Sequence, residues 1–411
     1  MVFLRLKIKK GEEVGSVKKP LLFALFSALV LTLSASALPA LAGTVAEPVA
    51  KFVIDQRTYW VRGEPRQMDV APFIENGRTY VPVRYLGYAL GVPESGIGWD
   101  QAERKATLTK DGTTVELVVG QSSYRVNGQE RGMDVAPLLK DGRVFLPARF
   151  VAEALGYKVT WEPYFRQVVV LTPGYEVSMD QARAGTLQPP PGAVAPTGFI
   201  DRYGYSWGFP YQAKRIDFRI GSRYATVTRP DGSTYQLDLG TECVVVTKPI
   251  TDRSIIRKYP EVYPEGTYVV MPEDSEYTTA FYIPFIPVAR AFGVPEQNIV
   301  WDGEHLAVFG YYGDVRNYCV MTPGSKEIVC LVVPSKADPN GKGPVVGTGH
   351  LYFPLSVKDG VPMLGVNSVN DFSALLFAPM GAPGLINATG GGSFDYETGT
   401  AFILVKGPAR Q

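Results

Sequence analysis

This chain of 411 residues has little histidine, little cysteine and no dominant sign of charge. Its two histidines, His305 and His350, cannot make a metal site of three imidazoles. Three cysteines are too few for a scaffold built on disulfides. Basic and acidic residues number 41 and 40, which leaves no basic face of the kind nucleic acid demands. After residue 42 no run is apolar and long enough to cross a bilayer, which takes about 20 residues.

What is present begins with a leader. Arg5, Lys7, Lys9, Lys10, Lys18 and Lys19 precede the uncharged stretch 21–42, which ends in Ala40-Leu41-Ala42. Small residues at those positions fit the cleft of a signal peptidase, so 1–42 reads as a signal peptide cleaved before Gly43, with a retained anchor as the alternative. Cleavage removes six basic and two acidic residues and leaves 35 basic against 38 acidic. The expected location is secreted, on the extracellular face of the cell envelope.

The strongest signal is an internal repeat. Asp69-Val70-Ala71-Pro72 through Gly91 aligns without a gap on Asp134-Val135-Ala136-Pro137 through Gly156, an offset of 65. Gly77, Pro82 and Arg84 fall on Gly142, Pro147 and Arg149. A third copy lies 202 residues on: Tyr282-Ile283-Pro284, Gly293-Val294-Pro295-Glu296 and Trp301-Asp302 match Tyr80, Gly91 and Trp99 onward. A fourth, eroded copy closes the chain around Asp395 and Ala401-Phe402-Ile403-Leu404. Tandem small units build scaffolds and binding arrays more often than single catalytic pockets.

Within a unit, short runs of β-branched and aromatic residues alternate with Asp-Gly and Asn-Gly turns. Pro82 opens a short helical pattern, Val83, Leu86 and Leu90, that ends at Gly91. The expected fold is α+β: repeated small units of antiparallel sheet with one short helix each, strand-rich. The expected boundaries are 43–172 for a domain of two repeats, 173–212 for a Pro/Gly-rich linker, and 213–411 for a second, diverged domain. Gly390-Gly391-Gly392-Ser393 reads as a flexible loop. Lys336 to Gly343 reads as a polar insertion.

The run Asn76-Gly77-Arg78-Thr79-Tyr80-Val81-Pro82-Val83-Arg84, then Ala89-Leu90-Gly91 and Trp99, resembles the copper amine oxidase N-terminal-like (stalk) domain family. The run from Asp141 to Trp161 resembles it again. The resemblance implies a small α+β domain of exported bacterial proteins, without the oxidase domain. It implies neither copper nor amine oxidation. The residues agree: the Tyr-containing cofactor motif is echoed only by Asp395-Tyr396-Glu397, and no cluster of metal ligands is visible. No cofactor, metal or catalytic residue is expected.

Several candidates remain. Tyr203, Tyr205, Trp207, Phe209 and Tyr211 alternate along a strand pattern. They either stack on sugar rings or pack the second half's core. Gly204-Tyr205-Ser206-Trp207-Gly208 has the spacing of a serine hydrolase elbow but no following helix. Cys319 and Cys330 flank a Thr322-Pro323-Gly324-Ser325 turn, and form either a disulfide or two buried thiols. Asp69 with Arg84, and Asp134 with Arg149, are expected as repeated ion pairs. Trp99, Trp161 and Trp301 are expected to fill the junction of helix and sheet. Asn387-Ala388-Thr389 is a glycosylation sequon by pattern only. The leading reading is a non-enzymatic exported structural or interaction protein of the envelope. The alternative is a module that binds cell-wall glycan or peptide, with wall glycan or envelope proteins as partners. A hydrolase comes third.

Overall fold

The computed structural model describes residues 43–163, 165–195, 197, 199–200, 206–249, 277–312, 315–332, 345–351, 353–366, 389–395 and 399–407. It is strand-rich, with several small antiparallel sheets and few helices. Tyr203, Tyr205, the 336–343 insertion and the Asn387 sequon lie outside the described residues.

The first repeat runs β1 (Pro48–Val53), β2 (Thr58–Val61), β3 (Glu64–Gln67), β4 (Phe73–Glu75), β5 (Arg78–Pro82), α1 (Val83–Ala89), β6 (Ile97–Asp100) and β7 (Lys105–Lys110). The second runs β8 (Thr113–Val118), β9 (Ser123–Val126), β10 (Gln129–Gly132), β11 (Leu138–Lys140), β12 (Arg143–Pro147), α2 (Ala148–Ala154), β13 (Lys158–Glu162) and β14 (Gln167–Leu171). From β1 to α1 every boundary recurs 65 residues later. Pro82 and Pro147 sit at the N-caps, one residue before each helix. Their fixed φ suits that turn from strand into helix.

The two repeats exchange parts. One outer sheet has the order β13-β14-β1-β2-β3, so it joins the end of the second repeat to the start of the first. The other has the order β10-β9-β8-β7-β6 and does the reverse. Between them β11-β12-β5-β4 form a sheet whose centre pairs Val81 with its own counterpart Leu146, Tyr80 with Pro147 and Pro82 with Phe145. A local two-fold axis therefore passes between β5 and β12. The reason is physical. A helix of two turns buries too little surface to hold a unit together alone. Leu86, Leu90, Val151, Phe52, Leu108 and Val170 instead share one core drawn from both repeats.

The chain continues through α3 (Met179–Arg183), β15 (Phe199–Ile200), β16 (Ser206–Trp207), β17 (Arg215–Arg219), β18 (Tyr224–Thr228), β19 (Thr234–Asp238), β20 (Val244–Pro249), β21 (Tyr277–Pro284) and α4 (Phe285–Phe292). It ends with β22 (Ile299–Trp301), β23 (Leu306–Tyr312), β24 (Val315–Met321), β25 (Glu327–Val332), β26 (Val345–His350), β27 (Ser356–Lys358), β28 (Val361–Val366), β29 (Thr389–Asp395) and β30 (Thr400–Gly407). Its sheets, β19-β18-β17-β30-β29, β20-β21-β28-β27 and β22-β23-β24-β25-β26, repeat the architecture of the first half. Ile283, the counterpart of Val81, pairs with Leu364. Gly390 to Ser393 are not a loop but part of β29, paired with β30 along its length. Glycine weakens a strand, yet this one lies at a sheet edge where the pairing with β30 suffices to hold it.

Residues 173–195, expected as linker, lie against the second half. Ser178 caps α3 by accepting from Gln181 N. Val177, Ala182 and Leu187 pack on Phe309, Tyr318 and Val329. Asn298 holds Val194 at both its backbone N–H, 2.9 Å, and its carbonyl, 3.0 Å.

The halves are joined by apolar and polar contacts. Ala46, Val169 and Leu171 belong to the same core as Phe285, Trp301 and Ile403. Thr44 O accepts from Trp301 N, and Ala46 N donates to Trp301 O, so the segment before β1 pairs with β22. The Asp359-Gly360 turn between β27 and β28 fits against the edge of β1 and β14. Gly360 has φ +79°, and a Cβ there would meet Leu171 at 2.6 Å and Pro48 at 3.0 Å. A glycine is therefore needed both for the turn and for the close approach.

A groove between the repeats and a buried polar junction

Two features of the described residues bring functional groups together. The first is a groove of about 300 Å³ shared by both repeats. Ile74 and the Gly77-Arg78-Thr79 turn form one wall, and Pro147 to Phe150 at the start of α2 form another. Val159, Trp161 and Val168 of the β13–β14 hairpin complete it. The local two-fold axis makes this possible, because β5 and β12 run side by side and bring each turn to the other repeat's helix.

The ion pairs are not those expected. Asp69 accepts from Arg143, at 2.8 Å from Nε and 2.7 Å from Nη2, and not from Arg84. Asp134 accepts from Arg78 through Nε and Nη2, and not from Arg149. Each repeat thus gives its carboxylate to the other's arginine, as a two-fold axis requires. The arginine hydrogen bonds hold both carboxyls below the usual aspartate range. Arg149 is left nearly free: its Nε stands 3.9 Å from Glu153, and the side chain is mostly exposed.

The tryptophans meet the expectation unequally: Trp161 and Trp301 pack in cores that include their helices, and Trp99 does not. Trp99 is 39% exposed, with Nε1 on Gln101. Trp161 is half-buried and lines the groove. Of these three, Trp301 alone is fully buried, and it sits at the junction of the halves, where Nε1 donates to Gly360 O at 2.8 Å. The tryptophans of the three matching strands therefore sit in three environments.

The second feature is a cluster at that junction. Glu162 is 2% exposed and accepts from Gln167 Nε2, Asp359 N at 2.9 Å and Gly360 N at 2.7 Å. Asp359 accepts from Lys51 at 2.9 Å, Lys358 at 2.9 Å, Thr241 at 2.7 Å and Gln167 at 3.0 Å. Lys358 is buried and also reaches Glu242 at 3.2 Å. Burial raises the Glu162 carboxyl to about 7 against the pull of its donors. Burial acts the same way on Asp359, but the charges of Lys358 and Lys51 prevail and hold it well below the ordinary range. These side chains are saturated by one another, so the cluster reads as an anchor between halves.

Of the aromatic series, Phe209 is buried and Tyr211 packs against the same core. Trp207 and Ser206 form β16, paired with Phe199 and Ile200. The Ser206 backbone is therefore strand and not the strand-to-helix elbow of a hydrolase. Cys319 and Cys330 stand directly opposite on β24 and β25, with sulfurs 2.7 Å apart. Burial pushes the third thiol, Cys243, up to about 12. Among the described residues no group of three His, Cys, Asp or Glu side chains is placed to hold a metal ion, and no helix is long and apolar enough to cross a membrane.

Residues 60–170 match the family model of the copper amine oxidase N-terminal domain. A search of curated proteins finds no match.

Proposed function

Starting from a first half that carries the copper amine oxidase N-terminal domain, a non-catalytic domain, we propose that this is a non-enzymatic exported bacterial protein of the cell envelope with a structural and interaction role. The observation that carries the reading is the closure of paired repeats around a shared core. That architecture pairs the recurring Asp69 and Asp134 with arginines across the two-fold axis, and leaves a groove between the repeats. The aromatic series at 203–211 supports a glycan- or peptide-binding alternative only through Tyr203, Tyr205 and Trp207, because Phe209 and Tyr211 are committed to the core.

Cell fractionation with N-terminal sequencing tests export. A mature chain beginning at Gly43 outside the cytoplasmic membrane is expected, and an uncleaved cytoplasmic chain would overturn the proposal. Export also predicts the state of Cys319 and Cys330. Thiolate exchange with a disulfide-bearing partner would join the two sulfurs, release two protons and pass two electrons to that partner. The protein from the envelope should then be two hydrogens lighter than its fully reduced form. Reducing so short a loop is expected to cost about 2–3 kcal/mol of stability. Two free thiols at these positions in envelope protein would refute the disulfide.

A further inference from the structure

We propose that the groove between the first two repeats is a binding site for a glycan that bears carboxylates. Only the source of that glycan rests on the envelope reading. Trp161 and Phe150, both half-buried against the core, line the groove beside Arg149 and Arg78. The C–H face of a pyranose ring is weakly positive at its edge and suits the negative face of an aromatic ring. The charges favour an acidic sugar over a neutral one. Arg78 is tied to Asp134, while the Arg149 guanidinium has no carboxylate within hydrogen-bond distance. The groove therefore keeps one positive fork that is only loosely paired, its Nε 3.9 Å from Glu153, and of the shape that takes a carboxylate in a bidentate way. About 300 Å³ is at the small end of ligand pockets, room for one or two sugar rings and not for a folded partner. An extended peptide is less well served, because the edge strand beside the groove, β4, is three residues long and offers a short ladder.

The test is calorimetric titration of the purified protein with a hyaluronan hexasaccharide and with a chitin hexasaccharide. Both present acetylated amino sugars, and only the first has carboxylates. Saturable binding of hyaluronan at least tenfold tighter than chitin is expected. Arg149→Gln, an exposed change that leaves the fold alone, should erase most of that preference. Trp161→Ala should weaken both sugars by tenfold or more, with near-ultraviolet circular dichroism confirming its fold. Trp207→Ala and Tyr224→Ala should bind as the parent does. The proposal fails if a folded parent protein shows no saturable binding, if the two sugars bind equally, if Arg149→Gln keeps the preference, or if the loss appears in Trp207→Ala instead. Binding by a protein found inside the cell would keep the site and sink the export reading. Absence of binding by an exported one would do the opposite.

Discussion

Replacing Asp359 by alanine is expected to lower the stability of the protein by about 3 kcal/mol at neutral pH, measured by urea unfolding. The variant takes from Lys51 and the buried Lys358 the carboxylate that they share, and leaves Lys358 only the more exposed Glu242. It also removes the acceptor for Thr241 and Gln167. The lower end of the range for a broken buried pair applies, because the Asp359 side chain keeps 22% of its exposure. The folded carboxyl titrates below its unfolded value, so its stabilisation is present above the ordinary carboxylate range and is lost as the pH falls through and below it. The gap between parent and variant should therefore close in acid. A gap under about 0.5 kcal/mol at neutral pH, the size of an ordinary surface change, would show that the turn is not an anchor.

The second large effect runs the other way with pH. The folded Glu162 carboxyl titrates near 7, above the usual 4.5. A raised acid favours the folded state below its unfolded pKa, and that advantage disappears as the pH rises through 7. The difference is on the order of 3 kcal/mol at most. Stability of the parent protein should fall between pH 4.5 and 7, and Glu162→Gln should flatten that slope. A parent curve already flat over this interval would mean that the three donors to Glu162 outweigh its burial and keep it ionised. The two substitutions act on one cluster, so their effects are not expected to add.

Much of the architecture is legible in the sequence. The offset of 65 placed six consecutive elements of the second repeat on those of the first. Proline before each helix and glycine after it marked the helix ends. The offset of 202 placed α4 and β22 in the same way. One signal went unread. Lys358-Asp359-Gly360, followed by Leu364, stands 218 residues beyond Lys140-Asp141-Gly142 and Leu146, and marks the turn and strand of a further copy. It is hidden because only those positions persist.

Repetition, turn chemistry and apolar spacing are local, and the sequence alone determined them: most of the strands of the first two repeats, where their helices start, and that the units are alike. What it could not state is which copy supplies the partner. Asp69 lies 15 residues from Arg84 and bonds to Arg143. Equivalent tryptophans are exposed, half-buried or sealed. The Asp-Gly turn is open in the second repeat, where a Cβ on Gly142 would meet nothing, and is pressed against β1 and β14 in the later copy. Identical units have identical local energies, so local chemistry cannot choose between pairing within a unit and pairing across a two-fold axis. Burial of a core that neither unit can build alone makes that choice, and it is made only in the folded chain.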